Sequence, residues 1–247
     1  MKKIATVLAV LAFVTTVSFA QSSGNFSYGT SPQNDVACSI DQNGVMSGTE
    51  QCQESCTIDS SGNSTCTAAS GTCNGHAVAG IKTSSGAGNI FVVRPSAVIG
   101  LLTDVSVNSK QSGSGTGAVS SSALAGVDFK VTVTGANGTN VPVIPSGYIT
   151  YDSRYIQIST NLFQALSTQC LAISGGCFIT FNESTVSAHS FDFLTGGPLT
   201  AGQYTVTTTW KTALGGTGIS ESLTCVGPLN MTVQQNKVFS FNTINPI

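Results

Sequence analysis

Gly126-Val127-Asp128-Phe129-Lys130-Val131-Thr132-Val133-Thr134-Gly135 is the stretch that decides the fold class. Val127, Phe129, Val131 and Val133 alternate with Asp128, Lys130, Thr132 and Thr134. A strand turns successive side chains to opposite faces, so this pattern predicts one buried face and one wet face. Asn137-Gly138 follows at once, the dipeptide of a tight hairpin turn. Pro142 and Pro145 then predict an edge or a short strand.

Further strands are expected on both sides. Upstream lie Asn89–Val93 and Val98–Val107, the second with a candidate break at Gly100. Downstream lie Tyr148–Ser159 with a break at Asp152-Ser153-Arg154, then Thr185–Leu194, Gln203–Lys211, Ile219–Val226 and Leu229–Gln235. Lys110–Ser122 has no apolar period and reads as a low-complexity loop, and its Ser112–Gly117 portion lacks the Lys-Ser/Thr of a phosphate loop. Asn161–Gln169 is the one helical turn that the pattern allows. Gly-, Pro- and Asn-punctuated strands in this number predict an all-β chain. The expected fold is an antiparallel β-sandwich, immunoglobulin-like or jelly-roll-like, over residues 77–247.

A different region precedes it. Lys2 and Lys3 lead an apolar run from Ile4 to Phe19, and Ser18-Phe19-Ala20 fits cleavage before Gln21, so residues 1–20 are expected to be a signal peptide. The run is shorter than the roughly 20 residues of a membrane span, and no span is expected in the mature chain. Gln21 in place of cysteine argues against a lipid anchor, and no C-terminal sorting signal is expected. The expected location is secreted, periplasmic or cell-surface, in a bacterial style of export.

All eight cysteines lie beyond the cut. An even count in an exported chain predicts disulfides. Cys38, Cys52, Cys56, Cys66 and Cys73 fall in a polar, Gly/Ser-rich stretch that cannot bury enough apolar surface unaided. Residues 21–76 are therefore expected to be a flexible lead followed by a small disulfide-stapled region. Cys170 and Cys177 bracket a Ser-Gly-Gly turn and are expected to pair. Five is odd, so one N-terminal thiol is expected to reach Cys225 and pin the stapled region to the sandwich. The full connectivity stays open among about a hundred arrangements.

Composition excludes several functions. The chain has nine basic and eleven acidic side chains, and loss of Lys2 and Lys3 leaves a net charge near −4. No basic cluster suits nucleic acid or an anionic membrane. The segment Gly202-Gln203-Tyr204-Thr205-Val206, with Trp210 beyond, resembles the Gly-x-Tyr-x-Val strand entry of immunoglobulin-like bacterial surface domains. That resemblance covers barely a dozen residues and implies fold class alone.

Candidate chemistry is sparse. Cys52-x3-Cys56 with Cys66 and Cys73 offers zinc ligands, but disulfides compete for the same thiols. Ser39–Glu50 places Asp41, Asn43, Gly44 and Glu50 where a calcium loop needs them, yet Ser39 replaces the leading aspartate, and an Asn-Gly hairpin is the simpler expectation. His189 is the one base near acids, with Asp192 on the opposite strand face and Asp152 as the other candidate. No Gly-x-Ser-x-Gly elbow occurs, and no spacing favours Asp152 with Glu183 or Asp192 as a glycosidase pair. Asp152 and Arg154 share one strand face and are expected to form a turn salt bridge. Tyr148, Tyr151, Arg154, Tyr155 and Trp210 are the candidate ligand-binding residues, because tyrosines and a guanidinium suit a sugar or peptide. No catalytic residue, metal or cofactor is expected. The expected role is a non-enzymatic structural or adhesive protein whose partner is a surface glycan or another extracellular protein. The alternatives are a carbohydrate-binding module, a filament or pilus subunit, and a secreted hydrolase.

Overall fold

The computed structural model describes residues 25–31, 38–48, 50–59, 63–83, 88–108, 120–159 and 177–238. The chain is all-β, with its strands in antiparallel sheets. In chain order they are β1 (Phe26–Thr30), β2 (Ser39–Ile40), β3 (Met46–Ser47), β4 (Gln51–Ile58), β5 (Ser64–Cys66), β6 (Ser70–Gly71), β7 (Asn74–Thr83) and β8 (Asn89–Asn108). Then follow β9 (Ser120–Gly135), β10 (Asn140–Val141), β11 (Val143–Ile144), β12 (Ile149–Ser159), β13 (Phe178–Ser190), β14 (Phe193–Thr195), β15 (Gly202–Thr217) and β16 (Ile219–Lys237).

Two layers form the sandwich. The first runs β11-β14-β8-β16-β4-β5, with β1 also on β16, β13 on β8 and β6 on β4. The second runs β10-β9-β15-β7, with β12 also on β9. Long central strands explain this branching. β8 pairs with β14 over its first part and with β13 over its second. β16 likewise meets β4 first and β1 later. Val127, Phe129, Val131 and Val133 are buried as their alternation predicts, and they meet Phe91, Val93, Val206, Trp210 and Met231 between the layers. Phe91 meets Tyr204 edge to face, ring centroids 5.4 Å apart. The Asn137-Gly138 turn forms, with Gly138 at φ 81°, a backbone conformation that glycine tolerates and other residues rarely adopt.

The structure differs from the sequence reading in three elements. β8 is one 20-residue strand that passes through Pro95 and Gly100. Pro95 sits opposite Met231, and Gly100 lies under Met46, whose Sδ is 2.8 Å from where a Cβ would stand. β16 is also continuous, with a register shift between Val226 and Leu229. Ser120–Ser122 open β9 rather than close a loop. The expected helical turn at Asn161–Gln169 lies outside the described residues.

The N-terminal region contributes to the sandwich itself. β1 and β4 are hydrogen-bonded to β16. Sulfur fixes this arrangement in three ways. Cys38–Cys225 ties the β2–β3 hairpin to the outer face of the first layer, where Met46 and Ile40 cover Leu102, Val98, Val186 and Leu223. Cys52–Cys73 bridges the layers, since Cys52 is on β4 and Cys73 directly precedes β7. Cys56–Cys66 joins directly opposed residues of β4 and β5. Cys177 is also disulfide-bonded, while Cys170 lies outside the described residues. Among the described residues no helix is long and apolar enough to cross a membrane.

Candidate functional site

A register shift between Thr150 and Asp152 in β12 separates the expected ligand-binding residues. Tyr151 turns inward. Its ring stacks on Phe129 at 4.1 Å, and its hydroxyl donates to the Pro95 carbonyl at 3.1 Å. Burial pushes its phenol above the ordinary value. Trp210, at 1% exposure, is a core plug and not a binding platform, which corrects the expectation for that residue. Tyr155 is exposed, but its neighbour Arg154 points to the other face of the strand. Tyr148 is exposed and sits beside two lysines, with Lys211 Nζ 4.5 Å and Lys130 Nζ 5.9 Å from its ring centroid.

Asp152 and Arg154 do share a face, but they do not bond to each other. They reach across from β12 in the second layer to β13 in the first. Arg154 Nη1 lies 3.0 Å from Glu183 Oε1, an ion pair too oblique to count as a hydrogen bond. Asp152 Oδ2 lies 3.3 Å from His189 Nε2 and accepts a 3.4 Å bond from Ser187 Oγ. Ser187 Oγ is 2.5 Å from the same His189 Nε2. Ser187 was not legible as a member. The usable signal was its place two residues before His189, on one strand face.

A serine, a histidine and an aspartate thus meet, but not as a catalytic triad. In a triad the carboxylate holds Nδ1 while the nucleophile faces Nε2, so a proton can pass through the ring. Here the carboxylate and the hydroxyl converge on one nitrogen. The arrangement joins the open edges of the two layers. Asp192, the other expected acid, is engaged instead by Arg94, which donates to it from Nε and Nη2 at 2.6 and 2.7 Å. That donation, and the nearby guanidinium charge, hold the Asp192 carboxyl below its ordinary value.

The metal candidates resolve the same way. Glu54, Cys56 and Cys66 bring one oxygen and two sulfurs together, but those sulfurs are bonded to each other and offer no thiolate. Ser39–Ser47 forms the expected hairpin. Asp41 Oδ1 accepts from the Val45 and Asn43 amides at 2.9 and 2.8 Å, which lowers its carboxyl below the ordinary value. Glu50 is buried elsewhere, beside Ser31.

One feature has no counterpart in the sequence reading. Ile144, Leu194, Val92, Gln234 and Phe26 stand opposite one another in successive strands β11, β14, β8, β16 and β1. Their immediate neighbours Val143, Phe193, Val93 and Val233 are buried, so this rung lies on the outer face of the first layer. Ile144, Leu194 and Phe26 are exposed, Phe26 by 62%. Tyr28 extends the same face along β1. The β2–β3 hairpin covers another part of this face, over Leu102 and Leu223, and among the described residues Ile144, Leu194 and Phe26 stay exposed. Compared with known proteins, the chain matches no family model and no curated protein.

Proposed function

We propose that this is an exported, non-enzymatic β-sandwich protein with a structural or adhesive role at the cell surface. The observation that carries the reading is the set of exposed apolar side chains on one face of a disulfide-clamped sheet, Ile144 and Leu194 at one edge and Phe26 and Tyr28 at the other, with Val92 and Gln234 between them. Exposed apolar side chains gathered on one face of a folded domain suit a contact with another macromolecule. Cross-links that span the layers suit an oxidising place of work, where thiols are not kept reduced. The convergence of Ser187 and Asp152 on one imidazole nitrogen supports a role other than hydrolysis.

The test is retention on the cell envelope of the native host. The full chain is expected in the surface or extracellular fraction, with its cysteines oxidised. Replacing Phe26 and Leu194 by Ser is expected to lower envelope retention severalfold, with the melting temperature unchanged. Recovery from the cytoplasm with free thiols, or unchanged retention of the double variant, overturns the reading.

A further inference from the structure

β9 changes partners along one edge. Val133 and Thr134 pair with β10, while Phe129 and earlier residues pair with β12. Between them, among the described residues, Lys130, Val131 and Thr132 have no strand on that side. The reason is that the chain crosses here to the other layer, where Val143 and Ile144 pair with β14. The crossing leaves a groove of about 250 Å³, lined by four valines of β9, β10 and β11 and, beside them, by Lys130, Thr132, Asn140, Ser146 and Gly147. Tyr148 follows Gly147 directly and is 45% exposed. Two of only nine basic side chains in an acidic chain gather at this ring. Lys211 has one loose acid neighbour, Asp128 Oδ2 at 3.9 Å. Lys130 makes no ion pair among the described residues.

We propose that this groove binds a carboxylated sugar, such as a uronate unit of an acidic polysaccharide. The ligand carboxylate sits by Lys130 and Lys211. The ring hydroxyls bond to Thr132, Asn140, Ser146 and the open edge of β9. Three observations select this class. A surplus ammonium calls for an anion. The hydroxyl and amide groups beside it suit the hydroxyls of a sugar, the valines suit the C–H face of its ring, and the volume suits a single ring rather than a larger ligand. Ammonium groups over Tyr148 occupy ring face that a neutral sugar would need for stacking, so the charge is part of the recognition. The groove lies where the chain crosses between the layers: Val143 lines it, and the adjacent Ile144 turns to the opposite strand face and joins the apolar row, but the proposal does not depend on the surface role.

The experiment is calorimetric titration of the full oxidised chain with tetragalacturonate, cellotetraose and tetraglutamate. Tetragalacturonate is expected to bind with a Kd below about 1 mM and to weaken as salt rises. Lys130→Ala with Lys211→Ala, and separately Tyr148→Ala, are expected to weaken it about tenfold or more. Lys130→Gln with Lys211→Gln repeats the test if the alanine pair melts early. No heat with tetragalacturonate overturns the proposal. So does equal binding of cellotetraose, which would make charge irrelevant, or of tetraglutamate, which would make the sugar irrelevant. Unchanged affinity in the lysine variants overturns it as well.

Discussion

Glu50 sets burial against charge. Its side chain is buried, Ser31 Oγ donates to Oε1 at 3.3 Å, and Oε2 has no hydrogen-bond partner. Desolvation raises the carboxyl above its ordinary value, and the Ser31 bond only partly opposes that. A raised carboxyl favours the fold while it holds its proton, and that contribution is lost as pH rises through the folded-state value. Glu50→Gln is therefore expected to stabilise the protein at pH 7, on the order of 1 kcal/mol, with the gain vanishing at pH 3.5 where Glu50 is protonated in both states. Urea midpoints at the two pH values measure it, and a gain that persists in acid would reject the burial argument. Trp210 was misplaced from sequence for a physical reason. An aromatic residue signals a sugar platform and a core plug equally well. Strand parity decides between them, because Trp210 shares its face with Tyr204 and Val206, and all three are buried.

Among the elements, β1 is the one least visible in the sequence and most informative about how the sandwich closes. It pairs with β16 in the first layer, and side chains at its start also bond to the outer edge of β7 in the second. Ser27 Oγ donates to the Gly80 carbonyl at 2.7 Å, and the Asn25 side-chain amide donates to the Lys82 carbonyl. Gly29 permits the approach, since a Cβ there would stand 2.5 Å from the Val78 carbonyl oxygen. Gly29→Ala is expected to push β1 off β7 and cost about 1–3 kcal/mol. Hydrogen exchange should quicken at Phe26–Thr30 and leave β9 protected, whereas uniform protection throughout would show that the edge is not closed this way. The sequence conceals β1 because its five residues include Gly29 and expose Phe26 and Tyr28, so no amphipathic alternation remains to read. β8 was concealed for another reason. Pro95 lacks a ladder donor, but β16 pairs across it at Met231, and on the other side Pro95 falls in the gap between β14, which ends its pairing at Val93, and β13, which pairs from Ser96.

For the whole molecule, the sulfur bridges show what composition can and cannot convey. An odd number of N-terminal cysteines left one thiol to pair outside the cluster or stay free, and Cys38 pairs with Cys225. No count could reveal that Cys52–Cys73 crosses between layers, because that depends on β4 joining the first sheet while β7 begins the second. The bridges close loops of very different length. Cys38–Cys225 spans 187 residues and Cys56–Cys66 spans 10. If the cross-links act by restricting the unfolded chain, the long one contributes about 5 kcal/mol and the short one about 2.5 kcal/mol. Replacing Cys38 and Cys225 by Ala is then expected to lower the denaturant midpoint about twice as far as replacing Cys56 and Cys66. The long bridge also has a local task, since it holds the β2–β3 hairpin over Leu102 and Leu223. Its loss should add binding of a hydrophobic dye at concentrations of denaturant too low to unfold the sheets, which loss of the short bridge should not do. Equal midpoint losses would point instead to local strain and packing as the source of the stability. A larger loss without dye binding would place the hairpin's hold on the sheet in its apolar contacts and not in its sulfur.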